Sequence, residues 1–327
     1  DEAAENDTLT FDSAQTYSSK DIHAAVTMTS NNNATFDTAL TISAAATLDD
    51  VNITGDTAIT AGATIKNSDI TKTLDIQSTG VNIGTAGNGN RFVLANTDTG
   101  ITSSGGAASL ETASIVDNTF RANVAGQSYT GIDLGNQFSG ALTLTNNDMS
   151  TATNDEITFG IQLASGNATI TASNLFSHND SGIGINILGG NHTLGADNSD
   201  FNTLDDFATG LQVADGASVN GSFNKFESNT KDIDNNKDSF IEIFKSWFGH
   251  ADGPTNDTGQ GSGGTVEGKV EYSPFLNTGD LNTVKDENGN ILANKLDGVI
   301  VIQDNTDTAI GYATTLAEAM TNIETLE

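Results

Sequence analysis

Side chains able to do chemistry are few in this sequence, and most are carboxylates. Forty-three acidic residues stand against 12 basic ones, a formal net charge of -31, and the absence of cysteine excludes thiolate chemistry and disulfides. Two acidic pairs, Asp155-Glu156 and Asp205-Asp206, precede Gly-Ile and Gly-Leu strands at corresponding turns. If stacked, they could supply the two carboxylates of a hydrolase; adjacent acids at exposed turns are also what any acidic surface presents. Uronate chemistry has little support, because it needs basic groups to hold substrate carboxylates and the only arginines are Arg91 and Arg121. A catalytic role is therefore not expected.

Oxygen ligands at alternate positions, Asp232, Asp234, Asn236 and Asp238, match the first half of a calcium loop. Lys237 takes the place of the turn glycine and the twelfth-position acid is missing, so calcium is a candidate ion beside the plainer reading of a solvated corner. His23, His178, His192 and His250 lack zinc spacing and read as surface or turn residues. Trp247-Phe248 could stack on a sugar, which makes carbohydrate a candidate partner, or could pack within the fold. The negative charge repels nucleic acid and anionic membranes, and no run reaches the length of a membrane span, so neither partner is expected.

The elements that position these residues repeat. Between Ala113 and Phe226 a strand-like run ends in a small polar residue, any residue, then a large apolar one: Asn118-Thr119-Phe120, Asn147-Asp148-Met149, Asn174-Leu175-Phe176, Ser199-Asp200-Phe201, Asn224-Lys225-Phe226. The large residues stand 29, 27, 25 and 25 positions apart. A second phrase recurs between them: Gly131-Ile132-Asp133-Leu134, Gly160-Ile161-Gln162-Leu163, Gly184-Ile185-Asn186-Ile187, Gly210-Leu211-Gln212-Val213. Apolar residues two apart share one face of a strand. One copy cannot bury its own apolar side, so the copies must stack. Three short strands per coil of about 25 residues predict an all-β fold, a right-handed parallel β-helix, with Phe120, Met149, Phe176, Phe201 and Phe226 as a core stack. The Asn of each phrase is expected to accept the left-handed backbone of a tight corner and to hydrogen-bond from coil to coil.

These phrases, with Ser246-Trp247-Phe248-Gly249 through Asp252-Gly253-Pro254 and Val266-Glu267-Gly268-Lys269-Val270-Glu271-Tyr272-Ser273-Pro274-Phe275-Leu276, resemble the parallel β-helix repeat proteins of the pectate-lyase-like superfamily. In secreted and cell-surface members such segments close the solenoid. The resemblance covers roughly residues 113–276 and implies fold alone, since the superfamily holds enzymes, adhesins and surface-layer proteins.

From Thr8 to about Thr102 triplets such as Leu9-Thr10-Phe11, Leu40-Thr41-Ile42 and Val81-Asn82-Ile83 predict rungs of less regular length, with no covering helix before them. No charged-then-apolar leader opens the sequence, so an exported protein is expected to be in its mature form. The β-helix is placed at 1–276 and a C-terminal extension at 277–327. In the extension Val299-Ile300-Val301-Ile302 predicts a strand, and over Ala313–Leu326 Leu316, Met320 and Ile323 fall on one apolar stripe of an amphipathic helix, into which the phrase Gly311-Tyr312-Ala313 is expected to lead. About ten coils at roughly 4.8 Å span about 50 Å, so this extension would reach a neighbour's first coil, at Leu9 and Phe11, more easily than its own. Contacts of that kind do not close. The expectation is a secreted, extracellular or cell-surface structural protein that assembles with copies of itself into a filament, sheath or layer. The alternatives are a cap on its own last coil, an adhesin stalk, or a polysaccharide-active enzyme.

Overall fold

Three faces of parallel strands wind around one apolar lumen. The computed structural model describes residues 8–10, 15–17, 20–30, 34–103, 110–135, 138–149, 156–177, 180–195, 201–255, 261–276, 284–285, 291–293, 300–303 and 309–313. Sheet A has twelve strands from Thr8–Thr10 to Val270–Glu271, and sheet C has eleven from Lys20–Ile22 to Thr265–Glu267. Sheet B runs through six strands from Gln15–Tyr17 to Thr119–Ala122 and four from Asn174–Phe176 to Trp247–Phe248, with a bridge from Thr119 to Asp148 between the two runs. The chain visits A, B and C in turn and starts again, which is a right-handed parallel β-helix.

The strands form because short triplets, apolar at both ends, put two apolar side chains inside and the polar one between them outside. Leu40-Thr41-Ile42, Leu74-Asp75-Ile76 and Val81-Asn82-Ile83 each read buried, half-buried, buried. Contrary to the expected irregularity, the N-terminal coils are the shortest, with contacts between neighbouring coils spanning 17 to 20 residues. Later coils lengthen at their corners: successive ladder asparagines stand 22 to 29 residues apart.

One corner holds the polar part of the core. After each sheet A strand a Ser or Asn turns inward: Ser68, Asn90, Asn118, Asn147, Ser173, Asn202, Asn224 and Ser246 are all 2 % exposed or less. The Asn118 Oδ1 accepts from both the N–H and the Nδ2 of Asn90 at 3.0 Å, and its own Nδ2 donates to Ile83 O at 2.8 Å and to Asn147 Oδ1 at 3.1 Å. The same pattern returns at Asn202, which donates to Ile170 O at 2.8 Å and to Asn224 Oδ1 at 3.0 Å. At Val51, Ser68, Asn90, Asn118, Ser173 and Asn224 the corner's main-chain N–H points inward, and a side chain of the next coil accepts it. The left-handed backbone falls one residue earlier than the sequence suggested: Asn67, Asp117, Asn146, Ala172, Phe223 and Lys245 have φ between 48° and 60°, each just before a ladder residue.

The apolar stack follows the ladder at a constant offset of two residues, which corrects two of its expected members. Phe120, Met149 and Phe226 are in it, fully buried, with Phe92 stacked on Phe120 at 4.6 Å and Phe226 on Phe248 at 5.4 Å. Leu175 and Leu204 occupy the places expected for Phe176 and Phe201, pairing in register with each other and then with Phe226. The true ladder residues there are Ser173 and Asn202, and a one-residue slip in a strand exchanges inside for outside. Phe201 is accordingly half-buried, and Phe176 stands in register with Asp205.

The parallel stack ends where the resemblance placed its closure. Phe248, Tyr272 and Phe275 form an aromatic cluster, with centroids 6.0 and 6.4 Å apart, and Leu276 N–H donates to Ser246 O at 2.9 Å. Phe275–Leu276 then pairs antiparallel with Val284–Lys285, which pairs antiparallel with Ile291–Ala293. Ile300–Gln303 and Ala309–Ala313 make an antiparallel hairpin, so Gly311-Tyr312-Ala313, expected to open a helix, is strand instead. Cross-strand pairing with Ile300–Ile302 satisfies that backbone and overrides the helical pattern. Leu316, Met320 and Ile323 lie outside the described residues, as do Val299 and Phe11.

Two substitutions test the corner. Asn118→Ala leaves the Asn90 main-chain N–H without its acceptor and removes the bonds to Ile83 O and Asn147 Oδ1, and is expected to lower unfolding free energy by about 3 kcal/mol in denaturant melts, with Asn118→Ser, the residue other coils use, costing less. Ala172→Gly relieves a left-handed alanine and is expected to stabilise by about 0.5–1 kcal/mol in the same measurement.

Candidate interaction surfaces

The outward side of sheet C carries a polar column along the axis. Asp75, Thr102, Asp133, Gln162, Asn186, Gln212, Asp234 and Glu267 follow one another in register. Amides and carboxylates bond from coil to coil within it: Gln162 Nε2 to Asp133 Oδ1 at 2.9 Å, and Asn186 Nδ2 to Gln162 Oε1 at 2.7 Å. Lys231 Nζ reaches Asp234 at 3.2 Å and Glu267 at 2.7 Å, and these contacts hold its ammonium above the usual lysine range against a burial effect that is the largest single influence. Toward the N-terminus this face has an open groove of about 430 Å³ whose lining mixes Ala39, Leu40 and Ala58 with Thr41, Asp56 and Asp75.

The structure separates the two acidic pairs. Glu156 opens a sheet C strand opposite Ser128, whereas Asp205 ends a sheet B strand opposite Glu227; Asp155 lies outside the described residues. Asp205 thus meets Glu227, a neighbour that the sequence reading missed. Both stand three positions after a ladder residue, Asn202 and Asn224, a relation visible only once Asn202 is recognised as part of the ladder. Burial pushes the Asp205 carboxyl up; a hydrogen bond from Ser228 opposes this, and Glu227 and Asp206 add to it. Glu227 is paired with Lys225 at 2.8 Å, and Lys225 stands in register with Trp247. Phe248 is wholly buried and packs on Phe226, while Trp247 is half-buried with a buried, unpartnered indole N–H. Of the two aromatic residues, only Trp247 has an outward side.

The four candidate calcium ligands do not converge. Asp232 points into the lumen at 1 % exposure, Asp234 lies on the outer face of sheet C, and Asn236 and Asp238 are exposed in the following turn. A bulge in the pairing of Lys231–Asn235 separates them. Among the described residues no three His, Asp or Glu side chains are grouped to hold a metal ion.

The histidines divide. His23 and His250 are exposed beside Asp21 and Asp252, and His178 lies outside the described residues. His192, expected at the surface, is 3 % exposed: its Nδ1 accepts from Ala168 N–H at 3.1 Å, which leaves Nε2 to donate to Gly189 O at 2.7 Å. It is an inward-facing residue of the sheet A strand Gly190–Leu194, neutral in this bonding, and burial lowers its pKa.

At the first coil, Thr8–Thr10, Gln15–Tyr17 and Lys20–Ile22 each pair with the next coil on one edge, and their other edges have no strand partner among the described residues. Leu9 and Tyr17 are only partly covered, packing against the core below. Comparison with protein-family models, with curated proteins and with solved structures found no match to this chain.

His192 sets an acid-side expectation. Because its folded pKa is lowered, it contributes stability above about pH 6.5 that is lost as pH falls through the folded value. Melting temperatures from pH 8 to pH 5 should therefore fall less steeply for His192→Gln than for the natural chain; parallel slopes would remove His192 from the account.

Proposed function

We propose that this chain is a non-catalytic, extracellular structural protein, a β-helical rod that joins end to end with copies of itself in a filament, sheath or surface layer. The observation that supports the reading is the outer edge of Thr8–Thr10 and Lys20–Ile22, which has no strand partner among the described residues, with Leu9 half-covered beside it. Such a strand edge accepts another β-edge at low cost, because desolvation and pairing occur together. The parallel stack stops at Phe275–Leu276 behind antiparallel strands, so the contact proposed at that end is the extension containing Val301, with Val299, Leu316, Met320 and Ile323, docking on a neighbour's Leu9 and Phe11. Head-to-tail contact between unlike ends gives an open polymer. The excess of acidic residues favours cations over nucleic acid or anionic lipid at the flanks.

An adhesin stalk is the second reading, since further coils could continue the same edge and the outer column of sheet C offers a long polar face. A polysaccharide-active role would rest on Asp205 and Glu227.

Assembly is tested by sizing chromatography and electron microscopy of the full chain, a variant lacking residues 296–327, and Leu9→Asp. Polymers from the natural chain and monomers from both variants are expected. A natural chain that stays monomeric at high concentration would discard the filament, and release of reducing ends from a glycan panel, lost in Glu227→Gln, would discard the non-catalytic reading.

A further inference from the structure

Five successive coils keep one position of sheet C empty: Gly100, Gly131, Gly160, Gly184 and Gly210. A β-carbon there would come within 2.8 Å of Phe120 Cε1 at Gly100, 2.4 Å of Met149 Cε at Gly131 and 2.9 Å of Leu204 Cδ2 at Gly184, so the large side chains of sheet B need the space. In the next coil the register puts Asp232 over Gly210. A carboxyl group stands where the lumen has accepted only hydrogen.

Its surroundings do not suit a charge. Asp232 Oδ1 accepts from Asn229 Nδ2 at 3.0 Å, and Asn229 is itself fixed by Phe207 N–H and Leu204 O, both at 3.0 Å. The other oxygen, Oδ2, is buried without a partner. Gly264 lies directly against it: a β-carbon at Gly264 would fall 2.3 Å from Oδ2. The segment is held there by Gly264 N–H to Phe248 O at 3.1 Å and by Thr255 N–H to Gly264 O at 3.0 Å. Gly264, in a segment that also carries Gly261 and Gly263, therefore closes over an acid.

Charged groups on the elements around Asp232 point elsewhere. Lys231 is engaged with Asp234 and Glu267 on the outer face of sheet C, Lys225 with Glu227 on sheet B, and His250 with Asp252 in the covering turn at 48 % and 63 % exposure. With burial acting first and the Asn229 bond opposing it, the carboxyl is pushed up to about 7.

We propose that Asp232 is a proton-operated latch on residues 249–255 and 261–264: the neutral acid seats Gly264 over the end of the lumen, and loss of the proton lifts Gly264 and the residues bonded to it and admits water. The sign follows from linkage. The closed form holds the proton to about pH 7 and the solvated side chain only to about 3.8, so closure is strongest below pH 4 and weakens as pH rises. Above pH 7 it is about 1,000-fold weaker.

Trp247, the sole tryptophan, adjoins the segment and reports on it. Acrylamide quenching of its emission is measured from pH 4 to pH 9 on dilute monomer, apart from any assembly, with His250→Gln in every protein to remove the nearby histidine titration. Quenching of the otherwise natural chain should rise with a midpoint near 7. Asp232→Asn, and Asp232→Gly, which restores the residue of the coils below, should stay flat. The carboxyl 13C resonance of Asp232 in the unaltered protein, expected to titrate near 7, decides the matter if either variant fails to fold. A carboxyl that titrates below pH 5, or the same quenching profile with and without Asp232, overturns the latch.

Discussion

The fold depends on satisfying the inward-pointing main-chain donors at one corner of each coil. A solenoid of short strands must turn about every five residues, and a tight turn inside an apolar lumen strands an N–H where no water can reach it. Asn and Ser side chains from the adjoining coil supply the acceptor, and the asparagines return their own N–H groups to carbonyls across the stack. Such bonds between buried neutral groups are individually modest, but each is costly to leave unmade. The column therefore fixes the register between coils, and the apolar residue two positions later is carried into place by it.

The glycine column and the aromatic stack are two sides of one packing problem. Phe, Met and Leu from sheet B cross the lumen, and sheet C gives way by carrying no side chain opposite them. Where the sequence departs from that pattern, at Asp232, a second departure compensates: the covering segment is itself glycine at 263 and 264. Corners elsewhere differ in length by many residues without disturbing the sheets, because neither column passes through them.

The repeat made the architecture legible before any coordinates. Gly-Ile-Asp-Leu and its relatives gave the strand faces, and Asn118, Asn147 and Asn224 gave the ladder. What failed was phase: an attractive Asn or Ser and a phenylalanine stood one residue out of step at Asn174-Leu175-Phe176 and three at Ser199-Asp200-Phe201, and Ser173 and Asn202 carried the actual bonds. Asp232 was singled out for its spacing to Asp234, yet what distinguishes it is its alignment with five glycines a coil apart, which no local window contains. His192 was missed for a similar reason, since its partners Ala168 and Gly189 acquire meaning only when coils are stacked. At Gly311-Tyr312-Ala313 the phrase expected to lead into a helix pairs instead with a strand nine or more residues earlier, which no local pattern announced.

The rungs also determine how such a chain can come into being. Nearly every cross-coil contact joins residues a few tens of positions apart, so no contact must wait for a distant part of the polymer. The Asn90 main-chain N–H has no acceptor until Asn118 has been laid down, and the Asn118 N–H in turn awaits Asn147. Each finished turn is thus a template with vacant donors for the one that follows. A polypeptide emerging gradually from a narrow exit would wind up from its leading end, at a pace set by its delivery.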